Sequence, residues 1–177
     1  MSETDSAQNA ARGIIRFTII AAKFGLVAGL LIAAFAYYSA RKLGSKSSAK
    51  SNAAQLTMAI ANFYSDHTAY PILSPYADHV GIVDSELVNA LTGNNPIINP
   101  DNTVYISPHP KYISPDNAFL DPWGKPYHVH IDTTFNHRIT NPQPDTGTPE
   151  LYHNALIYSA GPDQDPATWH DNITSWQ

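Results

Sequence analysis

The sequence predicts an α+β fold, and three observations carry that prediction. Apolar residues recur at helical spacing between residues 49 and 63, the last third of the chain holds short segments suited to antiparallel strands, and a Pro- and Asn-rich stretch lies between them. At 177 residues with 43% hydrophobic content, the chain supports one modest domain plus an appendage, and a second full domain would leave too little core for either.

The appendage comes first. Residues 1–16 form a polar N-terminal segment, and "FGLVAGLLIAAFAYY" runs from Phe24 to Tyr38 without a charge. Extended back to Phe17, the stretch 17–38 is about 33 Å long as a helix at ~1.5 Å per residue, enough to span a bilayer, with Lys23 snorkelling toward head groups. A cleaved secretory signal is the competing reading, with Arg12 and Arg16 as its basic end and Ala34-Phe35-Ala36 as its cleavage site. Lys and Arg flank both ends of the segment, and a positive-inside count would keep the body in the cytoplasm.

Residues 39–70 then read as the amphipathic second half of one long helix. Ala49, Ala53, Leu56, Ile60 and Phe63 make a single stripe, and Pro71 forces Tyr70 out of helical geometry. A shorter helix is expected at "DSELVNALTG", capped by Asp84 or Ser85, buried through Leu87, Val88 and Leu91, and stopped by Gly93. From Asn94 to Asp121 the composition predicts loops, interrupted by an extended piece at "TVYIS".

In "DPWGKP" the prolines fix φ, the glycine permits a tight turn, and Trp123 is expected to seal the sheet against the helix. "YHVHID" alternates as a half-buried strand, with Tyr127, Val129 and Ile131 on one face and His128, His130 and Asp132 on the other. "FNHRI" predicts a turn and return strand, and "NALIYSA" a third, apolar strand.

Charge divides the chain. Residues 1–44 hold five Lys/Arg against two Asp/Glu, a net +3, and residues 45–177 hold five against thirteen, a net −8. An acidic body disfavours a nucleic-acid partner, and none is expected, because phosphate binding needs clustered Lys/Arg and none appears outside the N-terminal region. Oxygen-rich acidic loops suit hard cations instead. The absence of cysteine removes disulfides, thiolate nucleophiles and zinc-thiolate sites. His128, His130 and Asp132 on one strand face are the best case for an enzyme, but alternating polar residues on a solvated face look the same. No nucleophile elbow or His/Glu helix motif accompanies them, and no small-molecule substrate is expected.

Three ordered motifs resemble the type IV pilin-like proteins, and among them the major pseudopilin of type II secretion systems: "AIANFYSDHTAYP", "LDPWGKPYHVHID" and "IYSAGPDQDPATWHDNITSW". The resemblance covers most of residues 50–177. It implies a long N-terminal helix, membrane-spanning in its first half, packed on a small antiparallel sheet, with 71–177 as a pilin-like globular head. It also implies a non-enzymatic, structural subunit of a secretion pseudopilus or pilus-like filament. The expected location is the inner membrane, crossed once, with residues 1–16 in the cytoplasm and the head in the periplasm, against the charge count. Expected partners are other pilin-like subunits, inner-membrane secretion components and membrane lipid.

In that family the terminal loop binds Ca²⁺. The resemblance places Asp163, Asp171 and Asn172 at side-chain ligand positions and Ala160 at a backbone-carbonyl position. Asp165 is added by proximity, and His170 as a neighbour able to tune the loop. Asn172 stands where the family usually has Asp, which implies weaker binding.

The resemblance breaks at the processing signal, Gly-Phe-Thr-Leu-Ile-Glu in the family. The nearest match is "RFTIIA", with Arg16 for the Gly and Ala21 for the Glu. A subunit without that Glu can initiate or decorate a filament, or stay in the bilayer as a binding module with a pilin-like body.

Overall fold

The computed structural model describes residues 31–36, 44–73, 79–144 and 146–177. The chain divides into two units, Met1–Gly44 and Ser45–Gln177. In the first, residues 31–36 are helical, and Leu31, Ile32 and Phe35 are exposed. No helix among the described residues is long and apolar enough to cross a membrane. The rest of the predicted span 17–38, the segment 1–16 and the predicted link to the second helix lie outside the described residues.

Helix α1 covers residues 44–67, all but Gly44 in the second unit. Its predicted stripe is buried along its whole length, for Ala49, Ala53, Leu56, Ile60 and Phe63 are each 1% exposed or less. Full burial of Leu56, Ile60 and Phe63 contributes about 1.5–3 kcal/mol apiece. The helix stops three residues before the expected boundary. Thr68 takes a left-handed φ of 52° while its N–H donates to the Tyr64 carbonyl at 2.8 Å, closing the last turn.

Strand β1, His79–Ile82, leads into α2, Ser85–Leu91. The Asp84 carboxylate caps α2 by accepting from the N–H groups of Glu86 and Leu87, both at 3.1 Å. Leu87, Val88 and Leu91 are buried as the pattern requires. Gly93 ends the helix region at φ +78°, where a Cβ would stand 2.5 Å from the Asn102 carbonyl oxygen, so only glycine fits.

The remaining strands are β2, His128–Ile131; β3, Ile139–Thr140; β4, Glu150–Leu151; β5, Ala155–Ser159; and β6, Ile173–Thr174. Three of them join β1 in a four-stranded antiparallel sheet of order β1-β2-β5-β6, and β3 pairs with β4 alone. The second unit is therefore α+β, with a helix packed on a small antiparallel sheet. Its core joins Leu56, Ile60 and Phe63 of α1 to Val129, Ile131 and Ile157 of the sheet, with Leu87 and Leu91 of α2.

Four local expectations change. "TVYIS" forms no strand, because the N–H groups of Tyr105 and Ile106 both donate to the Leu91 carbonyl, at 2.9 and 3.2 Å, and wrap this segment around the end of α2. The return strand after "FNH" shrinks to Ile139–Thr140 and pairs with β4, not β2. Asp132 does not share a solvated face with the histidines. It is fully buried past the strand end, where its carboxylate accepts from the Thr134 hydroxyl at 3.0 Å and from Asn136 N–H at 3.2 Å and His137 N–H at 2.6 Å. Those bonds hold a turn in which Phe135 and His137 both adopt left-handed φ.

Trp123, finally, is only partly buried. The ring that joins sheet to helix is Tyr127, fully buried, whose hydroxyl donates to the Ala49 carbonyl at 3.1 Å. Burial pushes the Tyr127 phenol pKa far up. A phenol reaches from the sheet to the helix backbone with an apolar body and a polar tip, which an indole at a surface turn cannot do.

Candidate metal centre

The C-terminal loop hangs between β5 and β6. Its first fixed point is Ser159 at the end of β5, whose hydroxyl donates to Asp121 Oδ2 at 2.5 Å and accepts from Gly161 N–H at 3.0 Å. Asp121 Oδ1 accepts from the N–H groups of Trp123 and Lys125, at 2.9 and 3.0 Å. One buried carboxylate thus folds the "DPWGK" turn and anchors the start of the loop. Asp121 was not expected to act here, although an Asp two and four residues before backbone donors is the usual signal of a side-chain-capped turn.

Gly161 follows at φ +74°. A Cβ there would collide with the Asp171 backbone carbonyl, so the two ends of the loop close on each other only because this residue is glycine. Gln164 donates its side-chain amide to the Trp123 carbonyl at 3.2 Å, a second tie to the turn.

Within the loop, Asp163 accepts from the Thr168 hydroxyl and from Asp165 N–H. The Thr168 bond, then the Asp165 bond, lower the Asp163 pKa and keep the carboxylate ionised. Asp163, His170 and Asp171 each offer a ligand atom, and these atoms lie within 4.8 Å of one another. Among the described residues, the Asp171 Oδ1 and Asn172 Oδ1 atoms are buried without a hydrogen-bond partner. The Asp171 atom lies 3.9 Å from His170 Nδ1.

No known family profile, curated protein or solved structure matches this chain. The case for a metal therefore rests on the residues themselves.

Of the predicted ligands, the fold brings Asp163 and Asp171 together; Asn172, next to Asp171 in sequence, has a buried amide oxygen, and its Nδ2 donates to the Pro166 carbonyl at 3.1 Å. Ala160 is buried at the junction of β5 and the loop. Asp165 is not in the cluster, and its Oδ1 accepts from Ala167 N–H at 2.9 Å as a turn cap. His170, adjacent to Asp171 in sequence, enters the cluster with an exposed ring.

The buried Asp171 Oδ1, without a donor and in one cluster with the ionised Asp163 carboxylate, is the kind of acceptor a hard cation satisfies, since Ca²⁺ takes carboxylate, amide and carbonyl oxygens together. An imidazole is a ligand for transition ions rather than for Ca²⁺, and an exposed ring is free to turn aside. The carboxylate oxygens of Asp163 and Asp171 are of the kind Ca²⁺ takes. His128 and His130 form no comparable group with Asp132 among the described residues, because the Asp132 carboxylate is committed to its own turn.

Proposed function

We propose that the chain is a membrane-anchored, pseudopilin-like subunit, a structural component of a type II secretion pseudopilus or type IV pilus-like filament that serves protein secretion. Its work is mechanical rather than catalytic. The observation that carries this reading is the pairing of one helix, α1, against a small antiparallel sheet whose last two strands bracket an acidic loop with buried, unpartnered oxygens. The three ordered motifs of the sequence support the same reading by resemblance.

In this reading the apolar stretch 17–38 is the anchor in the inner membrane, and the head lies in the periplasm. Asp163, Asp171, Asn172 and the Ala160 carbonyl would hold Ca²⁺. Bound there, the ion offsets repulsion between carboxylates and ties the loop to the sheet. Partners are copies of the chain, other pilin-like subunits and inner-membrane secretion components.

Because the chain has no cysteine, engineered ones report cleanly. Cysteines at Ser51 and Met58, both exposed on α1, should crosslink neighbouring subunits in membranes. Membranes that yield only monomers would rule out assembly through this helix.

Ala21, where the resemblance expects Glu, favours a second reading: a membrane-anchored envelope binding module that does not polymerise. Mass spectrometry of the mature N-terminus separates the cases. A cut near Arg16 supports the filament subunit, an intact start supports the module, and loss of the whole apolar stretch identifies a secreted protein.

A further inference from the structure

The outer face of the sheet carries side chains that the functional reading leaves unused. One row runs Ile82, His128, Tyr158 and Thr174 across β1, β2, β5 and β6, and the next runs Val80, His130 and Leu156. The His128 imidazole lies flat on the Tyr158 ring, 4.7 Å between centroids and 13° between planes, and the His130 ring is 6.1 Å from the same Tyr158. The same Tyr158 ring meets Trp169 at 5.0 Å, tilted, and Trp176 at 6.2 Å, edge-on. Trp169 belongs to the acidic loop, and Trp176 lies just beyond β6. One phenol ring therefore connects two histidines of β2 to both sides of the last strand.

The groups facing these imidazoles can be named element by element. Asp121 acts on His128, but its oxygens are committed to Ser159, Trp123 and Lys125. His79 on β1 and His128 on β2 both act on His130. Tyr158 faces both from β5, β6 contributes the uncharged Thr174, and the loop brings Trp169, with His170 next to it in sequence.

We propose that this face is an acid-sensitive clasp: with His128 and His130 neutral, Tyr158 is held between β2 and the two tryptophans, and protonation of both histidines releases the C-terminal loop from the sheet. One charge alone is tolerated, because an imidazolium over a phenol face gains cation–π attraction. A second charge on the same face, two residues along and roughly 6.6 Å away at ~3.3 Å per residue, is repelled by the first.

Burial lowers the pKa of both histidines, and for His130 the neighbouring His128 and His79 lower it further. The folded face thus binds fewer protons than the released one. Its contribution to stability is complete above the ordinary imidazole value of about 6.5 and is lost as pH falls below it through the lowered values.

The test is tryptophan emission of the full chain in detergent, titrated from about pH 8 to about pH 4.5, the interval in which imidazoles change charge. EDTA is present throughout, so no ion enters the result. The expected outcome is a red shift below about pH 6.5, steeper in pH than a one-proton transition. His128→Phe keeps the stacked ring without its charge and leaves the face one charge at most, so it should hold the emission flat across the interval. His128→Phe combined with His130→Gln should abolish the shift across the interval. Imidazole NMR signals of the unsubstituted chain report proton uptake directly, should a variant fail to fold. Flat emission while those signals titrate, or a double variant that opens at the original pH, overturns the clasp. Either result leaves the pilin-like reading intact, since neither lipid anchoring nor assembly is measured.

Discussion

The hydroxyl of Ser159 donates to the carboxylate of Asp121 across 2.5 Å, in a fully buried contact between residues 38 apart in sequence. This bond joins the turn that opens the sheet to the loop that closes the chain. Asp121→Ala removes one acceptor from three donors at once and leaves Ser159 without its buried partner. A loss of about 3 kcal/mol is expected from the cost of buried unpaired polar groups, measured by urea unfolding of a chain beginning at Ser45. A loss below about 1 kcal/mol would show that water replaces the carboxylate freely.

Tyr127→Phe keeps the ring and deletes only the bond to the Ala49 carbonyl. Stability should fall by about 0.5–1.5 kcal/mol, whereas Tyr127→Ala should cost about 3–5 kcal/mol by opening a cavity between helix and sheet. Equal losses for the two would mean that the hydroxyl, and not the packing, joins them.

Gly161→Ala places a methyl against the Asp171 backbone at a φ that L-residues rarely adopt. The expected cost is about 1–3 kcal/mol, concentrated in the loop, so amide hydrogen exchange should quicken at residues 160–172 more than in α1. Uniform acceleration would contradict a local closure.

Calcium should raise the melting temperature of the chain beginning at Ser45, and chelation should reverse the gain. Asp171→Asn should abolish the response. If the transition of the original chain is the same with calcium and with chelator, the oxygens at Asp171 and Asn172 do not serve this ion.

Asn172→Asp gives opposite signs with and without the ion. A second carboxylate beside Asp171 adds charge to the donor set and should tighten calcium binding. In chelator the same substitution should lower stability, because an unpaired charge replaces a buried amide oxygen. Titration calorimetry and thermal melts in parallel read the two effects.

Several elements are legible in the sequence alone. The spacing of Ala49, Ala53, Leu56, Ile60 and Phe63 marked the helix and its buried face, and Asp84 and Gly93 marked both ends of α2. The alternation of Tyr127, Val129 and Ile131 marked the inner face of β2. Strand β1 was not legible, since four residues with a central glycine, His79–Ile82, carry no period of their own and form a strand only by pairing with β2. His170 was visible only as a neighbour of Asp171, because a lone surface histidine has no pattern to distinguish it.

What the sequence determined by itself is therefore local: which residues form α1 and α2, which side of α1 and β2 is apolar, and how acidic the last loop is. Such features depend on repeat period and on side chains a few residues apart. The tertiary structure alone decided that Asp132 is buried, that Tyr127 and not Trp123 bridges sheet and helix, that Asp121 anchors a loop 38 residues away, and that Asp165 stays outside the cluster that Asp163 and Asp171 enter. Each of these depends on where a side chain finds its partner after the chain has closed on itself. A partner distant in sequence leaves no trace in the spacing of neighbours.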